Sequence, residues 1–111
     1  YQDPAVSGPQ VFYYENSAEG QKLAKSIQDS MNSELSEARS RVEKSNSSYY
    51  ILKRSQGTTV IVECGFLSNP EEEARLQEEA YQDRVCASVC AGILQYLDEY
   101  SEMGRIVPSQ T

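Results

Sequence analysis

The sequence of 111 residues contains no histidine and no tryptophan. Without an imidazole, the chain alone cannot provide a Ser-His-Asp triad, a Cys-His dyad or a zinc site with histidine ligands. Long hydrophobic runs are also missing, and no segment approaches the ~20 apolar residues that a membrane span needs. The first ten residues are polar and include proline and glycine, so they do not have the composition of a signal peptide.

Positive charge is scarce as well. The sequence has 10 Lys and Arg residues against 17 Asp and Glu residues, which gives a formal net charge of −7. The basic residues are scattered, whereas phosphate contacts need them clustered, which argues against nucleic acid as a partner and disfavours binding to an anionic membrane surface. A hydrophobic share of 39% supports a modest core, and the length suits one small domain.

Cysteine is present but sparse, and its number is odd. Three cysteines do not form a closed disulfide framework. Cys86 and Cys90 are four residues apart in a helical segment and therefore share one face, but without a CxxC motif or histidine nearby they make a poor zinc site. We expect all three, including Cys64, to be buried free thiols that pack as small apolar residues. The alternative is a redox role for Cys64 or for the Cys86/Cys90 pair.

The N-terminal half alternates between strand and helix signals. Residues 1–9 contain two prolines and a glycine and are predicted to form a loop, followed by a β-prone run at 11–14. Apolar residues then recur at helical spacing, which predicts an amphipathic helix over about 17–35. Residues 36–48 have little apolar content and are predicted to form the helix end and an exposed connection.

Two further strands are predicted in the middle of the chain. The aromatic and aliphatic residues at 49–52 suit a second strand, and 58–64 suit a third. The centre of the third run is continuously β-branched, which is typical of a strand buried on both faces of a parallel sheet. Arg54 follows the second predicted strand, where it could bind a substrate carboxylate or simply be solvated.

The C-terminal part is predicted to be helical. Asn69 can cap a helix, Pro70 suits its first position, and the carboxylates that follow favour the positive end of the helix dipole. Helical periodicity then continues to about residue 100, with a break expected at 77–80. Residues 101–111 are predicted to be a frayed tail.

The order of these elements predicts an α/β fold. A helix between two strands favours a parallel crossover, so we expect a mostly parallel sheet with helices on both faces. About three strands and two to three helices are available, however, and three short strands rarely make a self-sufficient sheet covered on both sides. The sequence therefore suggests a portion of a larger domain.

Glu63 is the strongest candidate for a catalytic residue. It ends the most apolar strand and precedes Gly65, and ligands in open α/β sheets bind beyond the carboxyl ends of the strands. A carboxylate there can exchange protons with a substrate, although a solvated or salt-bridged strand-end glutamate is the alternative. The glutamates at 71–73, 78 and 79 are interpreted as solvated helix faces.

Residues 62–72, VECGFLSNPEE, resemble the hallmark segment VExGFLSNxxE of zinc-dependent N-acetylmuramoyl-L-alanine amidases, which are bacterial peptidoglycan hydrolases. Residues 49–52 resemble the strand that precedes this hallmark, and 81–96 resemble the family's closing helix. Residues 7–14 resemble the segment that follows the family's last zinc ligand, especially in spore-cortex amidases. The resemblance therefore covers about residues 7–97, and its hallmark is long and specific.

The resemblance implies a role for Glu63 and a place for this chain within its domain. Glu63 matches the family's general base, which acts on a zinc-bound water and passes the proton to the leaving amine of the amide between N-acetylmuramic acid and L-alanine. The family's zinc ligands, two histidines and a glutamate, would lie upstream of Tyr1. Residues 1–111 then form the C-terminal part of one catalytic domain, with zinc in the intact enzyme and none in this chain, which alone should be inactive. Substrate-binding residues are not identified.

The implied setting is the bacterial cell envelope, outside the cytoplasm, with peptidoglycan as substrate. An unpaired sheet edge should lead to association with the rest of the domain, to self-association or to weak folding. Two alternatives remain open at this point. One is a non-catalytic, amidase-derived module that binds peptidoglycan or a partner protein, and the other is a stand-alone α/β domain with an unrelated function.

Overall fold

The computed structural model describes residues 4–106, and of residues 100–106 it describes the backbone alone. The predicted tail 101–111 is helical as far as Ile106, and its remainder lies outside the described residues, as do the first three residues of the predicted loop 1–9. Strands and helices follow in this order: β1 Gln10–Tyr14, α1 Ala18–Glu34, β2 Lys44–Asn46, α2 Tyr50–Arg54, β3 Val60–Glu63, α3 Pro70–Leu76 and α4 Glu79–Ile106.

The three strands form one sheet in the order β2-β1-β3. Strands β1 and β2 are parallel and are connected through α1, as predicted for a crossover. Strand β3 pairs antiparallel with β1, with Val11 opposite Val62 and Gln10 opposite Glu63. The α/β class is confirmed, but the sheet is mixed rather than mostly parallel, because β3 runs opposite to the other two strands.

The region between α1 and β3 differs from the sequence prediction. The predicted strand at 49–52 is wrong, since Tyr50–Arg54 is the helix α2, and Lys44–Asn46, predicted as part of a connection, is the strand β2. The side-chain Oδ1 of Asn46 accepts hydrogen bonds from the backbone N–H groups of Ser48 and Tyr49, both at 2.8 Å. This Asx turn ends β2 and directs the chain into α2, and it outweighs the β propensity of the aromatic residues.

The hydrophobic core lies between the sheet and the helices α1 and α4. Helix α1 begins at Ser17, whose Oγ accepts a hydrogen bond from the Gly20 N–H at 2.9 Å. Its buried face packs against β1 and α4, and burial of each large side chain contributes about 1.5–3 kcal/mol. The core cluster comprises Val11, Ala24, Ile27, Met31, Leu35, Ala38, Tyr81 and Val85.

Helices α1 and α4 approach each other closely at Gly92. A Cβ atom on this residue would lie 2.5 Å from the Cα of Ile27, so only glycine fits. The hydroxyl of Ser26 donates to the Gly92 carbonyl at 2.6 Å and holds the two helices at this distance. The predicted cap at Asn69 and the predicted break between α3 and α4 are both confirmed.

Strand β3 and the cysteines are more exposed than predicted. All four residues of β3 are half-buried, because β3 is an outer strand whose strand partner within residues 4–106 is β1 alone. Cys64, Cys86 and Cys90 are exposed, so their prediction as buried thiols is wrong. The side of α4 that carries Val85 and Gly92 is buried, so Cys86 and Cys90 lie on the exposed side of this helix. None of the helices in the described part is long and apolar enough to span a membrane.

Candidate active site

Glu63 lies in an open pocket of about 570 Å³ on the side of the sheet opposite α1. Side chains alternate along strands, so Val11 and Val62 pack into the core while their neighbours face the other way. The alternation places Glu63 on the pocket side. The pocket is lined by Gln10, Phe12, Arg41, Lys44, Tyr49 and Phe66, among others.

Tyr49 holds the Glu63 carboxylate. Its hydroxyl donates a hydrogen bond to Oε1 of Glu63 at 3.3 Å. The Tyr49 ring packs edge-on against Phe12, with ring centroids 5.5 Å apart and planes at 80°. Burial raises the pKa of Tyr49, and the nearby charge of Glu63 raises it further, so the phenol stays protonated and remains a donor to the carboxylate. The start of α2 thereby covers part of the pocket face of the sheet and restricts one carboxylate oxygen.

Glu72 fixes the two loops that flank the pocket. Its side chain is 2% exposed. Its Oε2 accepts a hydrogen bond from the Gly8 N–H at 2.7 Å, and its Oε1 accepts one from the Phe66 N–H at 2.8 Å. Gly8 has a φ of 96°, a conformation that favours glycine, and this presents its N–H to the carboxylate. The Glu72 carboxylate therefore ties the segment before β1 to the segment after β3.

This role of Glu72 corrects the sequence interpretation, which treated it as part of a solvated helix face. The interpretation holds for Glu71, Glu73, Glu78 and Glu79, which are exposed. The available signal was the hallmark segment itself, whose last residue is Glu72. Asn69 caps α3 by accepting from the Glu72 N–H at 3.1 Å, and so orients the first turn that carries this carboxylate.

The opposite end of the pocket is basic. The Nε of Arg41 donates to the Ser7 carbonyl at 2.6 Å, and its Nη1 donates to Oε1 of Gln10 at 3.5 Å. The guanidinium lies over the Phe66 ring, 5.3 Å from its centroid. Lys44, on β2, lines the same pocket and is exposed.

The structure does not bring Arg54 to this pocket. Arg54 ends α2, is exposed, and lies 5.5 Å from the Tyr50 ring centroid. Arg41 and Lys44 are not among the site residues predicted from the sequence, because both fall in the segment predicted to form an exposed connection. Their position depends on the pairing of Lys44 with Phe12, which no local pattern indicates.

No metal site is formed by the residues described. Among the side chains that the structure describes, those of residues 4–99, no group of three or more Cys, Asp or Glu is arranged to hold a metal ion, and the sequence has no histidine. The site thus consists of the Glu63 carboxylate, the Tyr49 phenol and the cationic side chains of Arg41 and Lys44. The rings of Phe12 and Phe66 also line the pocket. Such a set can move a proton and bind a polar, anionic ligand.

The fold and the site define an α/β domain in which the carboxylate that ends β3 faces an open pocket. Because β3 is antiparallel to β1, this pocket lies beside Gln10 and Lys44, at the amino-terminal ends of β1 and β2, and not at their carboxyl ends as the sequence predicted. The family model for N-acetylmuramoyl-L-alanine amidase, Amidase_3, matches residues 1–95. The chain belongs to this family.

Individual relatives agree with the family match. The chain is 41% identical over 93 residues to the germination-specific N-acetylmuramoyl-L-alanine amidase of Bacillus subtilis, covering 84% of this chain and 39% of that protein. Its structure is similar to that of the CwlD amidase from Clostridioides difficile in complex with the GerS lipoprotein, with a TM-score of 0.83 and 31% identity, covering 88% of this chain and 50% of that one. It is also similar to AmiC2 of Nostoc punctiforme, with a TM-score of 0.79 and 27% identity, covering 86% of this chain and 51% of that one. The chain spans between 39% and 51% of the length of these relatives.

Proposed function

We propose that the chain is part of a peptidoglycan hydrolase that cleaves the amide bond between N-acetylmuramic acid and L-alanine. The observation that carries this proposal is the position of Glu63, which ends β3 within the hallmark segment and faces the open pocket. The family match over residues 1–95 and the names of the relatives support the choice of substrate.

In the proposed reaction Glu63 is the general base. Its carboxylate takes a proton from the attacking water, whose oxygen adds to the lactyl carbonyl carbon. When the carbon–nitrogen bond breaks, Glu63 returns the proton to the nitrogen, and L-alanine leaves as a free amine. Tyr49 restricts the carboxylate by its hydrogen bond to Oε1, so the other carboxylate oxygen is left to face the water.

Zinc dependence, which the family resemblance implies, does not fit the residues of this chain. The described residues hold no cluster of potential ligands, and no imidazole exists elsewhere in the sequence. A zinc ion in the proposed enzyme would have to be held by residues outside this chain. The steps above are therefore limited to what Glu63 and Tyr49 do.

We further propose that the chain forms the C-terminal part of the catalytic domain and is inactive alone. It spans about half of the chains of its structural relatives, and within residues 4–106 both outer strands, β2 and β3, have one unpaired edge. Leu94 and Leu97 on α4 are also 66% and 48% exposed. These features support association with the rest of the domain. A monodisperse monomer of the isolated chain, measured by light scattering, would contradict this part of the proposal.

The substrate implies an extracytoplasmic location in the bacterial cell envelope. The similarity to a germination-specific amidase supports a role in the spore cortex. A protein partner is a further expectation, because the similar CwlD amidase forms a complex with a lipoprotein.

Identifying which bond of peptidoglycan is cleaved tests the proposed activity. The full-length protein would be incubated with purified peptidoglycan, and the soluble products analysed by mass spectrometry and by labelling of new amino termini. We expect free L-alanine amino termini and glycan strands with unsubstituted lactyl groups. The alternative, a non-catalytic module, predicts sedimentation with peptidoglycan and no new amino termini. Cleavage between sugars or within the peptide would contradict both.

A further inference from the structure

We propose that Arg41 and Lys44 form a carboxylate-binding subsite beside Glu63, which selects stem peptides with a free carboxylate on the residue after L-alanine. The inference rests on the proposed function, since it names the substrate feature that the same pocket recognises. It concerns a part of the pocket that the proposed proton transfer does not use.

Arg41 has the properties of a prepared anion site. Its guanidinium is half-buried and held in place on three sides, by the Ser7 carbonyl, by Gln10 Oε1 and by the Phe66 ring. The ion pairs found among the side chains of residues 4–99 join other residues, and none of them pairs Arg41 with a carboxylate. A positioned guanidinium binds carboxylates strongly, because its planar donors match the two oxygens.

Gln10 connects this cation to Glu63. Its Cα lies directly opposite that of Glu63 in the β1–β3 ladder, and its Oε1 accepts from Arg41. The Gln10 amide is itself fixed, because Nε2 donates to the Val42 carbonyl at 2.7 Å. Cα atoms of such opposite residues are about 5 Å apart, so the guanidinium lies on the order of 10 Å from Glu63. One extended residue spans about 3.5 Å, so two residues of a bound peptide span about 7 Å, and a hydrogen bond of about 3 Å accounts for the rest of this separation.

Lys44 adds a second positive charge on the same wall. It pairs with Phe12 in the β1–β2 ladder, lines the pocket and is exposed. In the described part of the chain it makes no ion pair with any carboxylate. Two cations without acidic partners at one site stand out in a chain whose formal charge is −7.

The chemistry of the substrate decides which group these cations would bind. In the glycan the lactyl carboxyl is already used in the amide bond, so the sugar side offers no carboxylate. Glu63 delivers its proton to the L-alanine nitrogen, which places the leaving peptide in the pocket. The first negative charge that the peptide offers after that nitrogen is a carboxylate on the residue following L-alanine. Its distance from the nitrogen suits the separation between Glu63 and the Arg41 guanidinium.

The test uses the full-length enzyme and two probes, N-acetylmuramoyl-L-alanyl-D-glutamate whose γ-carboxyl is capped as a methylamide, and the same compound with its α-carboxylate also amidated. We expect the wild type to cleave the acid with about tenfold higher kcat/KM than the amide, mainly through KM, since tenfold is the size expected for the loss of one hydrogen bond to a charged group. Lys44→Gln and Arg41→Gln should each reduce this preference several-fold. Lys53→Gln removes an exposed charge on α2 that does not line the pocket, and it should leave the preference unchanged.

The possible outcomes separate the two proposals. If Arg41→Gln does not fold, Lys44→Gln decides, because Lys44 is exposed and its side chain makes no ion pair within the described residues. An unchanged preference in Lys44→Gln, with activity intact, overturns the subsite. If the wild type cleaves neither probe, the proposed activity fails, and calorimetry with the same two probes then decides on the subsite. Equal affinity for acid and amide in that measurement would refute it.

Discussion

Replacement of Glu72 tests whether one buried carboxylate holds both loops of the pocket. Alanine at this position removes both acceptors and leaves the N–H groups of Gly8 and Phe66 unpaired. Glutamine keeps one acceptor but directs an NH₂ group at the other N–H, so it removes one of the two hydrogen bonds. The loss in free energy of unfolding caused by Glu72→Ala should therefore be about twice the loss caused by Glu72→Gln.

The expected magnitudes follow from the number of bonds lost. A hydrogen bond to a charged group contributes about 1.5–3 kcal/mol, so Glu72→Gln should lower the free energy of unfolding by about 1.5–3 kcal/mol and Glu72→Ala by about 3–6 kcal/mol. The carboxylate is 2% exposed, so water cannot replace the lost partners easily. Arg75 contributes little, since its Nη2 is 3.9 Å from Glu72 Oε2.

The assay is urea unfolding of the full-length protein followed by circular dichroism. Glu71→Gln, which removes the same charge from an exposed neighbour on the same helix turn, is the control and should change stability by less than about 0.5 kcal/mol. Equal effects of Glu71→Gln and Glu72→Gln would refute the reasoning, because the loss would then come from net charge or the helix dipole rather than from the two loop bonds.

Three further predictions follow from other contacts. Gly92→Ala should destabilise by about 2 kcal/mol or more in thermal unfolding, because its Cβ meets the α1 backbone at 2.5 Å; an unchanged Tm would contradict this. The hydrogen bond from Arg84 lowers the pKa of Glu37 to about 2. The stability advantage of the wild type over Glu37→Gln should therefore be complete above pH 4.5 and vanish as the pH falls towards 2, whereas a constant difference would exclude the ion pair. Tyr49→Phe should lower kcat several-fold at unchanged Tm, because Glu63 loses its donor; unchanged kcat would remove Tyr49 from the site.

The elements with strong local signals could be predicted from the sequence. The apolar residues of α1 repeat at helical spacing, and Asn69 with Pro70 starts α3. The position of Glu63 at the end of β3 was also predictable, because a β-branched run ends there. In each case the residues that define the element are close to one another in the sequence.

The features that depend on distant pairing could not be predicted. Strand β2 consists of Lys, Ser and Asn, residues with little β propensity, and exists because β1 pairs with it. The antiparallel direction of β3 is likewise invisible in its own residues. Arg41 and Lys44 reach the pocket only through this pairing, and Glu72 becomes buried only because Gly8, 64 residues away, binds it.

The role of Glu63 is the central claim, and Glu63→Gln in the full-length enzyme tests it most directly. The measurement is the rate at which L-alanine amino termini are released from peptidoglycan, together with the zinc content of the purified protein. The account predicts a fall in kcat of about 10²–10⁴-fold, as is typical when a general base is removed, with zinc content and Tm unchanged. Cleavage by Glu63→Gln at a rate close to that of the wild type would contradict it.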